Sequence, residues 1–275
     1  MRIKETVYHI EAPLHLTIAL LSDTHNTEPT PILYSLKAHR PDVICIAGDL
    51  LLGHRPEDDN LIMRSQENVL RLVSGCVDIA PTYISLGNHE WLISSEDLEM
   101  LTSTGAVILD NRYVVQTVRD GEKIIIGGLT SAIVSYFQTL QRIEDGGTEG
   151  RYPHRPRHFH PEHLNTESDW LDEFEKAEGY KVLLCHHPEY WSLREPYLIN
   201  HKIDLILSGH AHGGQMRVFG QGLFSPGQGW FPKYTSGVYQ GEYGSLVVSR
   251  GLSHTASPIP RIFNPTEIVY LELGV

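Results

Sequence analysis

Ser208-Gly209-His210-Ala211-His212-Gly213-Gly214-Gln215 follows directly on the apolar run Ile203-Asp204-Leu205-Ile206-Leu207. The run has the length and composition of a buried strand, and the glycine-rich segment after it predicts a loop at the strand's end. Two imidazoles one residue apart on a turning backbone can aim at two different metal ions, and the flanking glycines relieve the steric limits on such a turn. By itself the segment reads equally well as a polar loop holding two histidines. What decides between these readings is whether other strands end in the same way.

Four further apolar runs do. Leu16-Thr17-Ile18-Ala19-Leu20-Leu21 ends at Ser22-Asp23-Thr24-His25, and Val43-Ile44-Cys45-Ile46-Ala47 ends at Gly48-Asp49. Thr82-Tyr83-Ile84-Ser85-Leu86 ends at Gly87-Asn88-His89-Glu90, and Tyr180-Lys181-Val182-Leu183-Leu184-Cys185 ends at His186-His187-Pro188. Continuous apolar runs of this length are the mark of strands buried on both faces. A helix-like stretch from about Pro31 to Arg40 separates the first two, and helical spacing of Leu61, Met63, Val69, Leu70 and Val73 fills Asn60 to Val77. Strand, helix, strand order predicts parallel strands joined by right-handed crossovers. All these polar ends then emerge at one carboxyl edge, where ligands bind in such folds.

Further helices are predicted from near Ser94 and from about Asp169 to Ala177, and further strands at 245–249 and 267–273. Three close runs at 106–109, 113–118 and 123–126, with turn signals at Asp110-Asn111 and Asp120-Gly121, predict a meander and therefore a mixed sheet. Strand alternation points Cys185 away from His186 and into a core.

The 275 residues are enough for a sizeable core, and they read as one domain over 1–275 with a loop insertion at about 130–167. That insertion carries a basic patch in a chain of formal net charge -12, which marks Arg151, Arg155 and Arg157 as candidate substrate contacts. His254, after Gly251-Leu252-Ser253, is another. The acidic balance argues against a nucleic-acid track or an anionic membrane surface as partner. Three cysteines, Cys45, Cys76 and Cys185, without C-x-x-C spacing argue against a disulfide framework or a thiolate zinc site. No apolar run approaches the roughly 20 residues of a membrane span, and the first residues lack a signal-peptide core, so a cytoplasmic location is expected.

Asp23, His25, Asp49, Asn88, His186, His210 and His212 form a set of carboxylate, amide and imidazole donors without thiolates. Such donors suit Mn, Fe, Zn or Ni. Seven ligands exceed one open catalytic site, so two divalent ions are expected. His187, beside His186, is read as lying outside the set.

The ordered motifs D-x-H, G-D, G-N-H-[ED], H and G-H-x-H resemble those of the calcineurin-like metallophosphoesterases, here as Asp23-x-His25, Gly48-Asp49, Gly87-Asn88-His89-Glu90, His186 and Gly209-His210-Ala211-His212. Gly213-Gly214-Gln215, the segment 231–237 and Arg250-Gly251-Leu252 are similar to the bacterial branch related to YkuE and YaeI. The likeness covers most of the chain except about 130–167. One departure is Gly48-Asp49-Leu50-Leu51-Leu52, which lacks the later aspartate many relatives carry, outside the ligand set.

The resemblance implies an α/β fold of two packed mixed β-sheets flanked by helices, in four layers. It implies that Asp23, His25 and His212 hold one metal, that Asn88, His186 and His210 hold the other, and that Asp49 bridges them. His89 would face the substrate as the catalytic imidazole. The implied activity is hydrolysis of phosphodiester bonds in a small phosphate ester by a metal-bridging hydroxide. A phosphomonoesterase or nucleotide-sugar pyrophosphatase uses the same site. An interaction scaffold on this fold is the non-enzyme alternative, disfavoured because every inferred ligand is present.

Overall fold

In chain order the first elements are Lys4–Ile10 (β1), Leu16–Leu21 (β2), helix Thr30–His39 (α1), Val43–Ala47 (β3), helices Ile62–Ser65 (α2) and Glu67–Val77 (α3), Thr82–Ser85 (β4), helix Ser95–Thr102 (α4) and Val107–Ile108 (β5). Then come Arg112–Thr117 (β6), Lys123–Leu129 (β7), helix Trp170–Lys176 (α5), Tyr180–Cys185 (β8) and Leu205–Ser208 (β9). Two small ribbons follow, Arg217–Val218 (β10) with Gln221–Gly222 (β11) and Phe224–Ser225 (β12) with Gly229–Trp230 (β13). Gly237–Gln240 (β14), Ser245–Val248 (β15) and Glu267–Leu273 (β16) complete the set. This is a computed structural model that describes residues 3–52, 62–93, 95–118, 121–130, 170–194, 196–254 and 259–274. The expected loop insertion, with Arg151, Arg155 and Arg157, lies outside the described residues.

Two six-stranded mixed sheets result, ordered β1-β16-β2-β3-β4-β5 and β14-β15-β9-β8-β7-β6. In the first, β2, β3, β4 and β5 are parallel and β16 runs antiparallel to β2. In the second, β15, β9, β8 and β7 are parallel, with β14 and β6 antiparallel at the edges.

Strand alternation builds the layers. Ile18 and Leu20 of β2 pack with Leu184 and Leu207 of the second sheet, forming a core between the sheets. Their neighbours Ala19 and Leu21 face the opposite way, toward Ile32 and Leu36 of α1 and Val69 and Val73 of α3. On the far side of the second sheet, Ile125, Leu183 and Cys185 pack against Leu171 and Phe174 of α5. Cys185 therefore sits where alternation placed it. Each of these buried aliphatic side chains stabilises the fold by about 1.5–3 kcal/mol relative to exposure.

Two sequence expectations change, and one strand had none. The meander is divided, because β5 pairs with β4 while β6 and β7 form a hairpin at the edge of the other sheet. The chain passes between sheets at Leu109, which is buried in the inter-sheet core against the backbone of Gly128. The helix expected over 60–77 is broken at Gln66 (φ -125, ψ 54), whose side chain turns to accept a hydrogen bond from Leu52 N at 2.8 Å. Finally, β1 had no clear signal, because an edge strand with one solvated face carries little apolar patterning.

Candidate metal centre

The parallel strands β2, β3, β4, β8 and β9 end at one edge, and the loops beyond them are laced together. Asp23 N donates to Gly48 O (3.1 Å), His25 N to Asp49 O (3.1 Å) and Gly209 N to His186 O (3.1 Å). This lacing forces unusual backbone. Asp23, His25, Asp49, His210 and His212 all have positive φ, between 42° and 62°. Non-glycine residues rarely accept that region, and their concentration here marks a site whose geometry the surrounding fold imposes. Gly209 meets a related demand, since a Cβ there would collide with Asp23 Oδ2.

Asp49 stands at the centre. Its Oδ1 accepts a hydrogen bond from His89 N at 2.8 Å. Its Oδ2 lies 3.0 Å from His186 Nε2, 3.8 Å from His25 Nε2 and 3.9 Å from His89 Nε2. Asp23 Oδ1 lies 3.5 Å from His212 Nε2 and 4.0 Å from His186 Nε2. The ligand atoms of Asp23, His25 and His212 all fall within 4.8 Å of one another, as do those of Asp49, His186 and His210. A third overlapping group is His25, Asp49 and His89. His89 is the member open to solvent, at 26 % side-chain exposure. Asn88 precedes it on the same turn, with Oδ1 buried and without a hydrogen-bond partner.

The residues fit divalent ions on three grounds. Nδ1 of His25 meets Leu51 O and Nδ1 of His186 meets Ala47 O, each at 2.7 Å, which directs both Nε2 atoms into the cluster. The buried Nε2 of His25 has no hydrogen-bond partner, as an ion ligand would not. Protonation points the same way: burial pushes His212 down to about 4 and His210 well below the imidazole range, which keeps lone pairs available. Burial opposes ionisation of Asp23 and Asp49, but the neighbouring imidazoles outweigh it, and both carboxyls are held below their usual range. His186 is likewise opposed by burial, yet Asp49 raises it to about 10.

Several supporting residues had no sequence argument behind them. Buried Glu90 accepts hydrogen bonds from four backbone amides, those of Asp49 (2.9 Å), Leu50 (2.7 Å), Leu51 (3.1 Å) and Gly87 (2.7 Å), and so fixes the loop that presents Asp49. Asn264 Nδ2 donates to His212 O at 2.7 Å, and Arg261 Nη1 donates to the same carbonyl at 3.3 Å. Glu189, His187 and His210 form a further buried group. Glu90 was legible only as the last letter of G-N-H-E; the others act across the chain and leave no local pattern. His254 is exposed, on the loop where Ser253 N donates to Asp23 O at 2.9 Å.

Buried nitrogen and oxygen donors converge at the carboxyl edges of two packed mixed sheets and form a candidate metal centre. The family model of the calcineurin-like phosphoesterases matches residues 16–214, and the chain belongs to that family. It is similar to YpbG of Bacillus subtilis, 27% identical over 234 residues covering 85% of this chain and 75% of that protein. It is also similar to the Bacillus subtilis metallophosphoesterase YkuE, 24% identical over 259 residues, 92% of this chain and 75% of the relative. A metallophosphoesterase of Caenorhabditis elegans, F40B5.2, is 25% identical over 94% of this chain, which spans 48% of that relative's length. Among solved structures, a dimetal phosphatase from Danio rerio superposes with TM-score 0.53 at 12% identity, covering 86% of this chain and 88% of that one. TT1561 of Thermus thermophilus gives 0.50 at 13%, over 88% and 92%. These two share the fold.

Proposed function

We propose that the protein is a dinuclear phosphodiesterase whose two divalent ions would be held by Asp23, His25 and His212 and by Asn88, His186 and His210, with Asp49 serving both. The observation that carries this reading is the convergence on Asp49 Oδ2 of three imidazole Nε2 atoms within 4 Å, on a carboxylate that belongs to two overlapping three-residue groups. Ions bound there supply Lewis acidity and a water acidic enough to attack phosphorus near neutral pH. Mn, Fe, Zn and Ni all suit the donors.

The chain's own residues do the rest. Asp49 and Asp23 offset the ions' charge, and burial keeps His210 and His212 neutral as ligands. His89, part exposed and held by its own amide to Asp49 Oδ1, is oriented over the cluster and donates a proton from its ring to the departing alkoxide. A diester is favoured over a monoester because its single negative charge needs less compensation in a chain of net charge -12. Arg151, Arg155, Arg157 and His254 are proposed as contacts to the rest of a small phosphate ester, on charge and position alone. Among the described residues no helix is long and apolar enough to cross a membrane.

The test is a screen of protein reconstituted with each metal against diesters, monoesters, nucleotides and nucleotide-sugars. Fastest turnover of a diester is expected. Faster turnover of a monoester or a pyrophosphate bond would overturn the diester assignment, and no turnover with any metal would overturn the enzymatic one.

A further inference from the structure

Beside the metal centre, a cavity of about 460 Å³ opens between Arg217, Val218, Phe219, Gly220, Arg250 and Phe263. Its arginines are tied by hydrogen bonds to the loop that carries His212. Arg217 Nη1 donates to Gly213 O at 2.7 Å, and Arg261 bridges Arg250 O (2.7 Å) and His212 O (3.3 Å). The cavity therefore lies at the same edge of the fold as the clustered histidines.

Its apolar residues occupy positions that backbone chemistry disfavours for them. Pairing of Val218 with Gln221 closes β10 and β11 through a two-residue turn, Phe219-Gly220, with φ of 49° and 84°. Such turns favour Asn-Gly, because positive φ crowds a bulky L side chain. Phe263 repeats the choice at φ 53°. Both rings are exposed, and neither joins any of the three cores. Phe231 shares this backbone and exposure at φ 54°, but only Phe219 and Phe263 line the cavity, where they leave an apolar wall open to a ligand.

The polar side of the cavity specifies the ligand's charge. Arg217 is held by Gly213 O, by Thr235 Oγ1 at 3.1 Å and by Gly220 O. Arg250 has Glu267 Oε1 at 3.7 Å, and its Nε is buried without a hydrogen-bond partner. Two guanidinium groups lining one cavity attract an anion, and phenylalanines on the same wall attract an alkyl or aryl body. We propose that this cavity is a binding subsite for an amphiphilic organic anion, its charge against Arg250 and Arg217 and its apolar body against Phe219 and Phe263. Resting on the phosphoesterase reading, it names the substrate class as amphiphilic phosphate esters.

The test separates the two readings by measuring binding without catalysis. Metal-free protein is titrated with dodecyl phosphate below its micelle-forming concentration, with inorganic phosphate as the control. The wild type should bind the amphiphile at least tenfold more tightly than phosphate. Arg250→Gln should weaken it tenfold or more, and so should Phe219→Asn combined with Phe263→Asn. Because asparagine suits both backbone positions, the double variant should melt no lower than the wild type. In metal-loaded protein it should raise KM for a dodecyl ester by a much larger factor than KM for the corresponding ethyl ester. Wild-type affinity no better than for phosphate, or affinity that the variants leave intact, overturns the subsite. Binding to vesicles of anionic phospholipid without binding to monomeric amphiphile also overturns it, in favour of a membrane-docking face. If no ester is hydrolysed, the binding measurement still stands, and only the catalytic reading fails.

Discussion

Asp49 Oδ2 and His186 Nε2 stand 3.0 Å apart, and neither side chain is more than 1 % exposed. Their attraction outweighs burial, so Asp49 is held well below the carboxylate range and His186 is raised from 6.5 to about 10. A proton held more tightly by the folded than by the unfolded chain stabilises the fold. For His186 that contribution is complete below pH 6.5 and is lost as pH rises through about 10. Metal-free protein should therefore melt at falling temperature across that window, and His186→Gln should flatten the slope. Asp49 has the opposite sign: its contribution is present above the ordinary carboxylate range and is lost as acid reaches its depressed pKa. Thermal melts in chelator check both. A wild-type melting temperature that does not fall over the window would discount the pair.

An ion that takes Nε2 of His186 must displace its proton. Well below pH 10, metal binding should therefore release close to one proton per chain from this residue. Calorimetric titration in buffers of different ionisation heat measures the number. His186→Gln should remove that release and weaken one of the two sites.

Asp49→Asn should abolish activity and cost at least one ion, because it removes the charge that the two proposed shells would share. His89→Asn should keep both ions and lose mainly turnover. That loss, on the order of a hundredfold to ten-thousandfold, should grow as the leaving group becomes more basic. Metal analysis together with kcat on nitrophenyl and alkyl esters distinguishes the two residues. Equal losses on both leaving groups would remove His89 from proton donation.

The ends of β2, β3, β4, β8 and β9 were legible because parallel strands buried on both faces appear as uninterrupted apolar runs, and the residue where each run stops is by construction at the edge. The fold class followed from the same pattern and from the family resemblance. What lay out of reach were side chains that act across the chain. Asn264 and Arg261 reach His212 over 52 and 49 residues, and no periodicity encodes such a pairing. The passage between sheets at Leu109 was hidden for a related reason, since two successive short strands look alike whether they share a sheet or not. The phenylalanines at 219 and 263 were hidden because positive φ is a property of the folded turn.

Glu90→Gln keeps the size of the side chain and replaces one acceptor oxygen with a donor facing backbone amides. With four buried amides dependent on that carboxylate, the change should cost on the order of 3 kcal/mol. It should also loosen the Asp49 loop and lower affinity for both ions together. Denaturant unfolding and a chelator competition check the two effects. Full stability in the variant would show that the network is dispensable.

Glu189 makes the opposite prediction, an effect confined to one ion. It is buried, its Oε1 lies 3.2 Å from His187 Nδ1 and 3.7 Å from His210 Nε2, and despite burial those imidazoles hold its pKa down to about 2. A carboxylate 3.7 Å from one imidazole nitrogen favours a proton on that nitrogen electrostatically and leaves the other for an ion, and loss of a carboxylate partner of a ligating imidazole costs ten- to a hundredfold in metal affinity. Glu189→Gln should therefore weaken the ion proposed for His210 by that factor and leave the ion of Asp23, His25 and His212 in place. Gly227 supplies an independent route to the same result, because a Cβ there would collide with Glu189 Oε1. Gly227→Ala should reproduce the selective loss, and the double variant should be no worse than the single ones, since both act by displacing one carboxylate. Equal weakening of both ions, or additive losses in the double variant, would show that Glu189 serves the fold and not His210.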